Sequence, residues 1–169
     1  MNTSSLSVSK FLYNWILMFV VWLGFTTSLA PAELITGAVV SLIVVAMTAK
    51  YLNCCGLDIF LPNKLFYISK YIGVFTIALI KSNIDVAKRV LSPALPINPG
   101  IVQIETKLTN EFAKMVLANT ITLTPGTLTV DMVGNTYYIH WIDVTSEDPI
   151  EAHKEIAKQF EDILLKIFK

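Results

Sequence analysis

The chain has 169 residues, 54% of them hydrophobic and 15% charged, where an ordinary soluble domain carries about 25% charged residues. With a mean hydropathy of +0.60, these proportions exclude a wholly water-soluble globule. The 13 basic and 13 acidic residues balance to zero, which excludes a nucleic-acid binder working through a strong basic field. The balance is uneven along the chain. Residues 1–91 hold seven basic and three acidic residues, a net of +4, and residues 92–169 hold six and ten, a net of −4.

Phe11 to Ala30 is free of charged residues over 20 positions, the length needed to cross a hydrocarbon core of about 30 Å. It is too long for the h-region of a secretory signal, about 7–15 residues. Lys10 is a thin basic flank, and Pro31 would directly follow a cut at Ser28-Leu29-Ala30, so the segment reads as a retained anchor. A second apolar run, Ala32 to Ala49, follows a tight turn at Ala30-Pro31-Ala32, where proline stops the first helix. Residues 11–49 are therefore expected to form an antiparallel transmembrane hairpin. Gly37 and Ser41, four apart, are a small-xxx-small pair that lets helices approach closely in lipid. Trp15 and Trp22 share a helical face and read as lipid or subunit packing groups.

Residues 64–91 are long enough for a third helix but carry Lys70, Lys81, Asp85, Lys88 and Arg89. At 100° per residue, Lys70, Lys81, Asp85 and Lys88 fall near one stripe, while Tyr71, Phe75, Ala78, Leu79 and Val86 lie elsewhere. A cationic stripe beside a broad apolar face suits an amphipathic helix at the bilayer interface; the alternative is a third transmembrane helix. Lys10, Lys50 and Lys64 flank the hairpin, and its turn carries no cation. Basic residues favour the cytoplasmic side, so both hairpin ends, and the acidic half after them, are placed in the cytoplasm. Lys64, Lys70, Lys81, Lys88 and Arg89 are the expected anchors on the anionic inner leaflet.

Residues 92–100 hold three prolines in nine positions and read as an extended linker. The remaining segment, 101–169, reads as a small α+β domain of order β-α-β-β-α. Ile101–Thr106 is its first strand, and Asn110 caps a helix that Pro125-Gly126 stops. Leu128, Val130 and Met132 alternate with Thr127, Thr129 and Asp131, so the first three are expected to face the core. Gly134-Asn135 turns the chain into a strand over Thr136–Val144. Asp148, Pro149 and Glu151 have the spacing of an N-cap, a first helical proline and a capping box. One closing helix is expected, with Ile150, Ile156, Phe160, Ile163, Leu164 and Ile167 on its buried stripe.

The sequence holds no phosphate-binding glycine loop, no metal-protease motif and no nucleophile elbow. No enzyme activity, cofactor or metal is expected. Adjacent Cys54 and Cys55 fit neither disulfide geometry nor ligand spacing and read as small loop residues. His140 reads as a structural histidine within a strand, and His153 as solvated. Glu33 and Asp85 are the ion-path candidates, because ionisable groups at bilayer depth are costly. Each also has a plain role, Glu33 at a helix N-terminus and Asp85 in an i−4/i+4 ion-pair ladder with Lys81 and Arg89. Two function classes fit: an accessory subunit of a membrane transport complex, since two spans cannot enclose an alternating-access pathway, or a membrane-tethered binding module.

The stretch Leu117–Asp131, LANTITLTPGTLTVD, resembles the signature of the E subunit of the multisubunit Na+/H+ antiporters of the Mrp or Mnh type. Asp85-Val86-Ala87-Lys88-Arg89-Val90-Leu91 with Pro93, the Pro99-Gly100-Ile101-Val102 stretch and His140-Trp141-Ile142-Asp143 match in order and spacing. Asn98 departs from the pattern, since family members often carry arginine before the Pro-Gly pair. The resemblance implies an accessory subunit of a multi-pass complex in the plasma (inner) membrane that exchanges Na+ for H+. It also implies a cytoplasmic C-terminal domain and the small F and G subunits as partners. Related subunits of membrane-bound hydrogenase-type complexes are the alternative setting. Thr120, Thr122, Thr124 and Thr127 flank Pro125-Gly126 where helix gives way to strand, and these six are the subunit-docking candidates. Their hydroxyls can also satisfy backbone groups freed at such a break.

Overall fold

Residues 8–48 and 57–168 are described by the structure, a computed structural model. Lys50, Cys54 and Cys55 lie outside the described residues. The chain divides into two compact units, Met1–Pro62 and Asn63–Lys169.

In the first unit the uncharged sequence forms α1, Val8–Thr26, and α2, Pro31–Thr48. Thr27, with a φ of 49°, turns the chain out of α1, and Pro31 opens α2, where its missing N–H costs no helical hydrogen bond. The helices pack on one another along Gly37, Ser41 and Val45, the buried residues of α2. A Cβ added to Gly37 would lie 2.3 Å from Trp22 Cδ1, so the indole occupies the space that only glycine leaves. Trp15 Nε1 donates to Ala38 O at 3.1 Å. Both tryptophans thus serve helix–helix packing. A short 3-10 turn, Leu57–Phe60, returns to α1 through Phe60, whose ring lies 5.9 Å from that of Tyr13.

All but the first residue of α3, Pro62–Leu91, 30 residues long, belongs to the second unit. By length and composition α1, α2 and α3 could each cross a membrane. β1 (Gly100–Glu105), β2 (Thr127–Val133) and β3 (Thr136–Trp141) form an antiparallel sheet of order β1-β3-β2. α4 (Glu111–Leu123), α5 (Pro149–Ile156) and α6 (Lys158–Ile167) cover one sheet face. The core joins Val102 and Ile104 of β1, Tyr137 and Ile139 of β3, Leu117 and Ile121 of α4, and Phe160 and Leu164 of α6. Burying each such side chain stabilises the fold by about 1.5–3 kcal/mol.

In the sheet and the closing helices four expectations change. Leu128 and Val130 are exposed, while Thr127 and Thr129 turn towards the helices. The cause is polar: Thr129 Oγ1 donates to Ala118 O and Thr127 Oγ1 to Ile121 O, so threonines seat β2 on α4. A bulge between Thr129 and Asp131 then reverses the alternation and brings Met132 against the core. The closing helix is two helices, broken at Ala157, where φ stretches to −115° while ψ stays helical at −33°. Asp148 caps α5 by accepting from Ile150 N and Glu151 N. Its own N–H, however, donates to Ser146 Oγ, so Glu151 completes no capping box and instead reaches Lys154 at 3.5 Å. Ile150 is 76% exposed and lies off the buried stripe.

α3 departs furthest from its expected wheel. Tyr67, Ile68, Tyr71, Val74, Phe75 and Ala78 pack against the domain core. The apolar face expected to meet lipid through Tyr71, Phe75 and Ala78 is therefore the domain face. Phe66, Ile77, Ile80, Ile84 and Leu91 form a second, exposed apolar face.

Candidate functional site

The Thr-Pro-Gly-Thr segment ends α4 and starts β2. Pro125 cannot continue the helix. Gly126 takes φ +100°, and a Cβ there would meet Ile142 Cγ2 at 3.1 Å, so conformation and space both require glycine. The threonines satisfy the groups freed by the break. Thr124 Oγ1 donates to Thr120 O at 2.8 Å, Thr127 Oγ1 to Ile121 O at 2.7 Å, and Thr122 Oγ1 accepts from Thr129 N at 3.2 Å. Thr120 is buried, donates to Val116 O and shares a hydroxyl–hydroxyl hydrogen bond with Tyr71 of α3. The motif is thus a joint between α3, α4 and the sheet, and its polar groups are engaged within the chain.

Beside this turn stands Arg89. Its Nε donates to Asp85 Oδ2 at 2.7 Å, and its Nη1 to Asp143 Oδ2 at 2.7 Å and Pro96 O at 2.8 Å. One guanidinium therefore joins the last turn of α3, the proline-rich segment and the end of β3. Asn98 adds a second tie: its N–H donates to Ile142 O, its O accepts from Val144 N, and its Nδ2 donates to Val144 O. Residues 92–99 are held against the sheet by these bonds. A cavity of about 320 Å³ opens among Ser82, Asp85, Arg89, Pro125, Gly126, Asp143 and Glu155. It gathers the signature turn, the Arg89 ion pairs and the strand after His140 at one place on the second unit.

The other sequence-derived candidates scatter. Glu33 is half-buried in the first turn of α2, in the first unit. Asp85 pairs with Arg89. Lys70, Lys81 and Lys88 are exposed, and Lys64 is half-buried. Arg89 is the cation of that group committed to carboxylates of the second unit. His140 is exposed on the open sheet face rather than within the core. His153, expected to be solvated, sits 3.0 Å from Glu161 Oε2, a carboxylate only 2% exposed. Glu161 also accepts from Thr106 Oγ1 at 2.7 Å and Lys107 N at 3.2 Å. Its place on the last helix gave one signal, an acid inside an apolar stripe. Among the described residues, no three His, Cys, Asp or Glu side chains group as metal ligands.

Comparisons with known proteins place this architecture. The family described as "Na+/H+ ion antiporter subunit" matches residues 15–167. The chain is 36% identical over 152 residues to the E subunit of the Na(+)/H(+) antiporter of Alkalihalophilus pseudofirmus, covering 89% of this chain and 92% of that protein. The corresponding E subunit of Bacillus subtilis is 32% identical over 148 residues, covering 86% and 90%. Among solved structures, a chain of the membrane-bound sulfane sulfur reductase, an archaeal respiratory membrane complex, superposes with a TM-score of 0.83. It is 47% identical, covering 95% of this chain and 100% of that one.

Proposed function

Because the chain belongs to the Na+/H+ ion antiporter subunit family, we propose that it is the E-type accessory subunit of a multisubunit cation/proton antiporter, needed for assembly and for Na+/H+ exchange across the plasma membrane. One observation carries this reading: the family match runs from 15 to 167, through the apolar helices and the α+β unit alike. The subunit is a structural part of a transporter rather than an enzyme.

In the proposed layout α1 and α2 are a transmembrane hairpin with both ends inside. α3 lies along the cytoplasmic surface, and the C-terminal domain stands in the cytoplasm. Packing supports the placement of α3. Its domain face runs from Tyr67 to Arg89, nearly the whole helix. A crossing α3 would draw a sheet with open edges and charged side chains into hydrocarbon, which lipid does not tolerate. The small F and G subunits are the proposed neighbours, docking at the Thr-Pro-Gly-Thr turn and the adjoining cavity. Asp85 serves that docking contact through Arg89. Glu33 is the proposed carboxylate at the mouth of a cation path.

The 47% identity to a chain of an archaeal respiratory complex favours a second setting, in which the same subunit serves a complex of that kind. Purification of the tagged chain in mild detergent, with its partners identified by mass, tests both. Antiporter subunits are expected; redox subunits would move the chain to the second setting. Migration as a small monomer, or Na+-driven proton flux from the chain alone in sealed vesicles, would overturn the accessory-subunit reading. Thr124→Ala and Pro125→Ala are expected to lower assembly and exchange together; full assembly and full rate would remove the docking role.

A further inference from the structure

Beside the start of α3 an open cavity of about 710 Å³ is lined by Tyr67 and Lys70 of α3, the β1–α4 loop at Thr109 and Asn110, and Lys166 and Phe168 at the end of α6. Its volume is within the range of small-molecule sites, about 300–1,000 Å³. Lys70 and Lys166 are both exposed, and neither has an ion-pair partner among the described residues. The one acid on the lining is Asp162, so the cavity carries an excess positive charge. The remaining walls, Leu108, Ile163, Leu165 and the Phe168 ring, are apolar. Phe168 is held in place by Phe112, with ring centroids 5.7 Å apart.

We propose that this cavity binds a phosphate-bearing anion of the size of a phospholipid headgroup, its phosphate between Lys70 and Lys166 and its ester carbons against Tyr67 and Phe168. The proposal rests on the surface placement of α3 given above. Lys70 lies on the same edge of α3 as Lys81 and Lys88, so the cavity mouth opens beside the edge that meets the headgroup layer. Two lysines at a cytoplasmic membrane surface attract anionic headgroups, and charge-assisted hydrogen bonds to phosphate are the strong ones. The same chemistry would accept a soluble phosphate ester.

The full chain, purified in mild detergent, is titrated with phosphatidylglycerol, phosphatidylcholine or glycerol 3-phosphate and followed by native mass spectrometry. One retained phosphatidylglycerol and no retained phosphatidylcholine are expected. Lys70→Gln/Lys166→Gln should weaken that binding on the order of tenfold, whereas Lys154→Gln/Lys158→Gln, which removes the same charge from exposed positions off the cavity lining, should leave it unchanged. Competition by glycerol 3-phosphate assigns the site to soluble esters, and failure to compete assigns it to lipid. Binding in Lys70→Gln/Lys166→Gln equal to wild type overturns the proposal. With Cys54→Ser and Cys55→Ser removing the native thiols, a fluorophore at Ile80→Cys tests the placement of α3 separately: stronger quenching by headgroup-borne than by bilayer-centre quenchers upholds it even if the double variant binds normally, and stronger quenching from the bilayer centre, or none, overturns it.

Discussion

Arg89, on the last turn of α3, and Asp143, 54 positions later and just past β3, meet through Nη1 and Oδ2 at 2.7 Å. No local pattern encodes that contact, yet it closes the joint between helix, proline-rich segment and sheet. Arg89→Gln keeps length and polarity but loses both ion pairs. We expect faster proteolytic cleavage within residues 92–99 and weaker recovery of partner subunits on purification. Asp143→Asn should reproduce the effect in milder form, since Asp85 still holds the guanidinium. Cleavage kinetics unchanged in Arg89→Gln would show that the joint is held elsewhere.

Gly37→Ala places a methyl group where Trp22 Cδ1 stands 2.3 Å away. Overpacking of this kind costs about 1–3 kcal/mol. Disulfide trapping between cysteines placed on facing positions of α1 and α2 should fall in this variant. It should recover when Trp22→Leu frees the space.

Glu161→Ala leaves the Thr106 hydroxyl, the Lys107 amide and the His153 ring without their acceptor in a site only 2% exposed. Loss of a buried, multiply bonded carboxylate is worth about 3 kcal/mol. Thermal unfolding of the purified chain should shift down by several degrees, with Glu161→Gln falling less because it still accepts from Thr106.

Tyr137 is buried and donates to Lys114 O at 3.0 Å. Burial first, and then the negative charges of Glu161 and Glu111, push its phenol well above the ordinary value. The unfolded chain releases this proton near pH 10 and the folded chain only at higher pH. The stability from the protonated phenol is thus complete below about pH 10 and is lost as pH rises beyond it. Denaturant titrations should show wild type weakening steeply between about pH 10 and 12, a range in which Tyr137→Phe lacks this component. At neutral pH the variant should be less stable by about 1 kcal/mol, the worth of the lost hydrogen bond.

Where a feature is written in neighbouring residues, the sequence declared it. The uncharged run from Phe11, the Asn110 and Asp148 caps, and the glycine of the Thr-Pro-Gly-Thr turn each depend on chemistry within a few positions. Features that depend on distant partners were hidden. Ala157, a strong helix former, gives no local reason for the break between α5 and α6. The inward turn of Thr127 and Thr129 follows from carbonyls on α4, against their polarity. The two faces of α3 could not be ranked, because both are apolar and only the position of the domain core tells them apart. At the candidate site, the residue types were visible and the bonds that join Arg89 to Asp143 and Tyr71 to Thr120 were not.

The bulge between Thr129 and Asp131 falls on β2, an edge strand. Copies of this protein share one thin layer and meet far more often than molecules free in three dimensions. A flat outer strand bearing Leu128, Val130 and Val133 would invite its neighbour to extend the sheet from molecule to molecule. The extra residue twists the strand and interrupts the row of free amides and carbonyls, and Asp131 adds charge beside the kink. Between neighbouring molecules of one membrane, that kink and charge disfavour the pairing of one β2 with the next.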